Sequence, residues 1–190
     1  AQARGTVTAE EFRKLTAELA AIPEKIEKLL EHKERIQWFA SKRANMEHAF
    51  FIGRGLDYAA GLEGSLKMKE ISYIHSEAYP AGELKHGTIS LIEEDTLVIG
   101  LLTQQALYEK TLSNLLECKS RGAYLMALTM EGNYSIEDSA DFVIYIPKTD
   151  SHFAPSLAVT PLQLLGYYLS VSKGLDVDKP RNLAKSVTVE

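Results

Sequence analysis

Glu63, Lys67 and Glu70 stand at i, i+4 and i+7 in the stretch LEGSLKMKEISYIHSEAYPAGELKHG, residues 62–87. No Gly or Pro interrupts the run between Gly64 and Pro80, so its first half is predicted to be helical. At about 100° per residue the three groups fall within an arc of roughly 60° on one helix face. Two readings fit a carboxylate, an ammonium and a second carboxylate stacked in this way. One is a solvated ion-pair ladder, common on helices and of small energy. The other is the working face of an active site, where a carboxylate positioned by a neighbouring cation moves a proton between the carbons beside a carbonyl. Spacing alone leaves both open.

The flanks carry further candidates. Ahead of the triplet, an apolar burst at residues 49–52 runs into Gly53-Arg54-Gly55 and then the helix. A strand, a glycine turn and a helix start form the usual anion site of an α/β protein, although a lone G-x-G is a weak motif. After the triplet, Gly82 and Gly87 bracket Glu83, Lys85 and His86. An imidazole titrates near neutrality and suits the opening of a sugar ring, while a lone loop histidine is more often simply solvated. Thr103-Gln104-Gln105 follows the third predicted strand and is read as a helix cap.

The stretch from Leu62 to Gly87, together with the terminal PRNLAKSVTVE, closely resembles the second sugar-isomerase (SIS) domain of the glucosamine-6-phosphate synthases, the isomerizing glutamine:fructose-6-phosphate aminotransferases. The resemblance runs from about Ile22 to Glu190. It departs at Met68 and Thr88, where relatives often carry Leu and Pro, and leaves the ionisable positions untouched. It implies that Glu70 shuttles a proton between C1 and C2 of the sugar, with Lys67 and Glu63 orienting it. It implies that His86 opens the sugar ring in the active site of a neighbouring subunit, so that a homodimer shares its sites. It gives Lys185 the role of engaging the ketose carbonyl as an imine, and places Ala184 and Lys185, with Glu70 and His86, against fructose 6-phosphate or glucosamine 6-phosphate. The family's phosphate-binding first SIS domain and its glutaminase domain with an N-terminal cysteine are absent from these residues, so little activity is expected of this stretch alone. No cofactor and no metal are implied.

Composition is that of an ordinary soluble globular domain. The 190 residues are 45% apolar and 25% charged, enough for one full core. A net charge of −5 without a Lys/Arg cluster argues against a nucleic-acid surface. One cysteine, Cys118, excludes an internal disulfide and suits a reducing cytoplasm, the expected location. With no apolar run near 18 residues, no membrane span is predicted. Ala1 in place of an initiator Met suggests a fragment of a longer protein. His32, His48, His75 and His152 have no metal-ligand spacing and are read as structural or surface residues.

A capping box at Thr8-Ala9-Glu10-Glu11 predicts a helix to about Ala20, and Pro23 a second helix from there to about Lys42. Strands are predicted near 48–52, 73–78, 96–101, 123–128 and 142–146. Helices are predicted near 57–71, 82–92 (short or irregular), 105–121 and 155–173, the last restarting or kinking at Thr160-Pro161. This alternation implies βαβ units, a parallel sheet and helices on both faces. With the resemblance, the expected fold is a three-layer α-β-α SIS domain with a five-stranded parallel sheet in the flavodoxin-like order 2-1-3-4-5, preceded by helices. The expected division is 1–45 linker and helices, 46–174 SIS domain, and 175–190 a tail contributing to the active site. Two other functions share the SIS helix. A fructosamine-6-phosphate deglycase would not need the PRNLAKSVTVE tail, and a non-catalytic sugar-phosphate sensor would need neither base nor imine lysine.

Overall fold

The computed structural model describes residues 1–182. Three helices lead into the sheet: α1 (Ala9–Ala20), α2 (Ile22–Leu30) and α3 (Lys33–Arg43). The capping box at Thr8 and Glu11 forms as the sequence suggests. The single helix expected between Pro23 and Lys42 is instead broken at Glu31-His32. Neither Pro nor Gly marks that break; packing accounts for it, because Ile22 and Leu29 of α2 and Ile36 and Phe39 of α3 all enter one core. Phe39 stacks on Phe142 with ring centroids 4.4 Å apart.

From there strands and helices alternate: β1 (His48–Gly53), α4 (Leu56–Ser72), β2 (His75–Pro80), β3 (Leu97–Leu102), α5 (Tyr108–Lys119), β4 (Tyr124–Met130), β5 (Phe142–Ile146) and α6 (Ala154–Ser172). The five strands are all parallel in the order β2-β1-β3-β4-β5, as expected. Strand β3 is buried along its whole length, which its unbroken apolar run LVIGLL requires. The helical segment expected at 82–92 consists of two short 3-10 turns, Leu84–His86 and Thr88–Leu91. Helix α6 runs uninterrupted through Pro161, which corrects the expected restart at Thr160. Pro161 is buried, and the packed face of α6 holds the helix together across the missing N–H.

Helix α4 has no broad apolar stripe, because its buried face is built from small residues: Ala60, Gly61, Gly64, Ser65 and Ser72, with Met68. A Cβ on Gly64 would lie 2.7 Å from Leu162 Cδ1 of α6 and 2.9 Å from Phe51 Cε1 of β1. Ser65 Oγ donates to the Ser76 carbonyl at 3.0 Å and Ser76 Oγ to the Ser65 carbonyl at 2.9 Å, clasping α4 to β2. At the other end, Gly53 lets the helix start close to β1, since a Cβ there would sit 2.7 Å from the Asp57 carbonyl carbon.

Asp57, in the first turn of α4, is 2% exposed and fastens that turn to the end of β3. Its carboxylate accepts the Thr103 N–H at 2.9 Å, the Gln104 N–H at 3.2 Å and the Thr103 hydroxyl. Burial pushes its pKa above the ordinary carboxylate value, and the hydrogen bonds from Thr103 and Gln104 oppose that rise. Thr103 therefore does not cap α5, whose first residue is Tyr108. Removing the acceptor in Asp57→Ala strands three buried donors and should cost about 1–3 kcal/mol in urea unfolding. Gly64→Val, which overfills the α4–α6 contact, should cost about 1–3 kcal/mol in the same assay, with an unchanged midpoint contradicting the packing described.

Candidate active site

The three residues of the i, i+4, i+7 triplet meet on α4. Lys67 Nζ lies 2.5 Å from Glu70 Oε2 and 4.0 Å from Glu63 Oε1. The side chains of Lys67 and Glu70 keep 31% and 28% of their accessible surface, so the pair is half-withdrawn from water yet reachable by a ligand. The hydrogen bond to Glu70, helped by the charges of Glu70 and Glu63, holds the Lys67 ammonium pKa above its ordinary value, against a smaller opposing effect of burial. A pair this exposed stabilises a fold by only about 0.2–1 kcal/mol. Its chief effect is geometric: the ammonium fixes the Glu70 carboxylate and remains charged beside it. Helix α6 supports this stretch from behind, where a Cβ on Gly166 would lie 3.6 Å from the Lys67 carbonyl carbon.

Glu70 opens onto a cleft of about 550 Å³ at the end of the sheet where β2 begins. Leu66, Tyr73 and His75 form part of its wall, and so do Arg181 and Asn182, the last two described residues. Tyr73, just past α4, adopts a left-handed conformation with φ 59°. Its hydroxyl accepts the Arg181 N–H at 2.8 Å, and the Arg181 guanidinium carbon lies 4.1 Å from its ring centroid. The C-terminal segment thus meets the cleft beside Glu70. Ala184 and Lys185, the two tail residues expected to bind substrate, lie outside the described residues.

His86 is exposed in the 3-10 turn that follows β2. That turn is built past the last residue of β2, with the Glu83 N–H on the Pro80 carbonyl and the His86 N–H on the Glu83 carbonyl. Glu70 is at the opposite end, near His75, the first residue of β2. Six strand residues separate the two ends, about 17 Å at 3.3 Å per residue. Within one chain the structure brings Glu63, Lys67 and Glu70 together and holds His86 away from them.

The glycine turn is committed to the fold. Arg54 Nη2 donates to Asn114 Oδ1 of α5 at 2.8 Å, and the guanidinium packs against Gly82 so closely that a Cβ there would be 3.0 Å from Nη2. The N–H groups at Thr103 and Gln104, where an anion would be expected at the strand-order switch between β1 and β3, are taken by Asp57. The domain thus supplies its own carboxylate at the usual phosphate position. Asp57, Tyr73 and Arg181 were not singled out by sequence reasoning. Their partners are 46 and 108 residues away, so no local pattern flags them. Cys118 is fully buried, its thiol pKa pushed up to about 12 by burial, and takes no part. Among the described residues no group of three or more His, Cys, Asp or Glu is placed to hold a metal ion, and no helix is long and apolar enough to cross a membrane.

Comparison with known proteins sets this geometry in a family. A family model described as the SIS domain matches residues 44–173. The chain is 58% identical over 187 residues to a glutamine–fructose-6-phosphate aminotransferase [isomerizing] of Caldanaerobacter subterraneus subsp. tengcongensis, a match covering 98% of this chain and 31% of that protein. It is 58% identical over 190 residues to the protein of the same name in Clostridium tetani, covering 100% of this chain and 31% of that one. Among solved structures it is similar to the C-terminal domain of glucosamine-fructose-6-phosphate aminotransferase from Francisella tularensis, with a TM-score of 0.85, 36% identity and coverage of 92% of this chain and 49% of that one. The chain thus spans about a third of the length of these curated relatives. With the SIS model matched over well more than half its length, the chain belongs to the SIS domain family.

Proposed function

We propose that this chain is the C-terminal isomerase domain of a glutamine–fructose-6-phosphate aminotransferase and carries the groups that turn a ketose phosphate into an amino-sugar phosphate. The observation that carries this reading is Glu70, held by Lys67 at 2.5 Å and lining a cleft that Arg181 and Asn182 of the C-terminal segment also line. The relatives at 58% identity, whose matches cover 98% and 100% of the chain, support it.

In this reading the Lys185 amine adds to the C2 carbonyl of fructose 6-phosphate and water leaves, forming an imine that ammonia then displaces. The C2=N bond acidifies the hydrogens on C1. Glu70, aimed by Lys67, removes one of them while the nitrogen gains a proton, then delivers a proton to C2 as the C1 hydroxyl loses its own and becomes the aldehyde of glucosamine 6-phosphate. Glu63 shares the Lys67 charge and sets its position. Ala184 and the residues around it close on the sugar. Residues 46–174 form the domain proper, 1–45 join it to what precedes it, and 175–190 complete the site.

His86, at the far end of β2, opens the sugar ring in the site of a second copy, which makes the working unit a homodimer in the cytoplasm. Glutamine hydrolysis and the main phosphate grip belong to the preceding portions that the relatives carry, consistent with Asp57 filling the switch-point crevice here.

In the chain joined to those preceding portions, Glu70→Gln should lower isomerisation by about 100-fold or more while sugar-phosphate binding persists, since acid–base groups contribute about 10²–10⁴. Borohydride trapping of fructose 6-phosphate should label Lys185 and leave Lys185→Arg unlabelled at that position. Near-normal isomerisation in Glu70→Gln, or label spread evenly over surface lysines, would contradict the reading.

A further inference from the structure

We propose that Tyr73 is a positioning residue: it clamps the C-terminal segment at Arg181 and so fixes the point beside Glu70 from which the chain continues. Helix α4 delivers Glu70 and Tyr73 three residues apart onto the same cleft. Tyr73 holds Arg181 by two independent contacts, its hydroxyl accepting the main-chain N–H at 2.8 Å and its ring lying under the guanidinium. It does so from the left-handed region, φ 59°, a conformation that favours glycine or asparagine at the end of a helix. A tyrosine kept there against that preference points to a role for the ring.

The clamp does not hang on a loose helix end. Lys173 Nζ, just after α6, donates to the Ser72 carbonyl at 2.8 Å, so both ends of the 174–180 connection are tied to the last turn of α4. Lys185 is four residues beyond Arg181, within about 14 Å of fully extended chain. A segment pinned at Arg181 is thereby restricted to the neighbourhood of Glu70, whereas one tethered only at Lys173 has twelve residues of freedom. Pre-ordering of this kind shortens the search a reacting group must make.

The clamp itself can be tested without assuming any chemistry at Lys185. Trypsin cuts after Arg181, and its attack needs the guanidinium and neighbouring backbone free. Cleavage there should quicken about tenfold in Tyr73→Ala, which loses both contacts, and about threefold in Tyr73→Phe, which keeps the ring and loses the acceptor. The thermal midpoint of Tyr73→Phe should match that of the parent. A cleavage rate after Arg181 unchanged in both variants overturns the proposal, whatever Lys185 does. The consequence for the site rests on the reading under Proposed function and has its own readout. In the chain joined to the preceding portions, Tyr73→Ala should lower the rate of borohydride trapping at Lys185 about tenfold, with Tyr73→Phe between it and the parent. Faster cleavage with unaltered trapping overturns the positioning role while leaving the clamp. No Lys185 label in the parent overturns the imine reading instead.

Discussion

Between neighbouring parallel strands the chain must return the full height of the sheet, and α4 makes that return between β1 and β2. A side chain late in α4 therefore acts near the start of β2, and a side chain in the loop after β2 acts at the other end. Glu70 and His86 are separated by this constraint and not by any choice of rotamer. The rest of the site follows from how closely α4 is held. Gly53 admits its first turn, Asp57 ties that turn to β3, Gly64 brings its middle against α6, and the serine clasp at Ser65 fixes the same stretch to β2. With the helix so placed, Glu63, Lys67 and Glu70 form one row on α4, and Glu70 at its end lines the cleft.

Several features at the site are costly or neutral for folding, which separates them from the scaffold. The Lys67–Glu70 pair adds little stability at its exposure, and Tyr73 sits in a left-handed conformation that a glycine would adopt more readily. Glu70 and Tyr73 line one cleft, together with Arg181 and Asn182 of the C-terminal segment. The crevice at the strand-order switch goes the other way. Asp57 consumes the donors that a phosphate would otherwise use, so a contact within the fold stands where a ligand would otherwise bind.

Much of this was legible in the chain itself. The strands follow from alternating apolar runs and turns, because a doubly covered sheet demands unbroken apolar segments such as LVIGLL and FVIYI, while the order 2-1-3-4-5 came with the family resemblance. The i, i+4, i+7 spacing placed Glu63, Lys67 and Glu70 together because helix periodicity is a local property. What escaped was decided by distant packing. The break at Glu31-His32 and the continuity of α6 through Pro161 depend on what those helices press against. The roles of Asp57 and Tyr73 depend on partners 46 and 108 residues away. Alanine, glycine and serine on the inner face of α4 left no apolar stripe to show which side of the predicted helix is buried.

The central claim is that Glu70 and His86, held at opposite ends of β2, serve one active site only when they come from different chains. Subunit mixing tests it most directly. Glu70→Gln and His86→Ala proteins, each joined to the preceding portions that the relatives carry, are inactive separately and are then exchanged together in equal amounts. Half the dimers would be mixed, each with one intact site, so about a quarter of the parental activity should return. Mixed dimers that form and remain inactive would place both groups in the same chain's site and contradict the account.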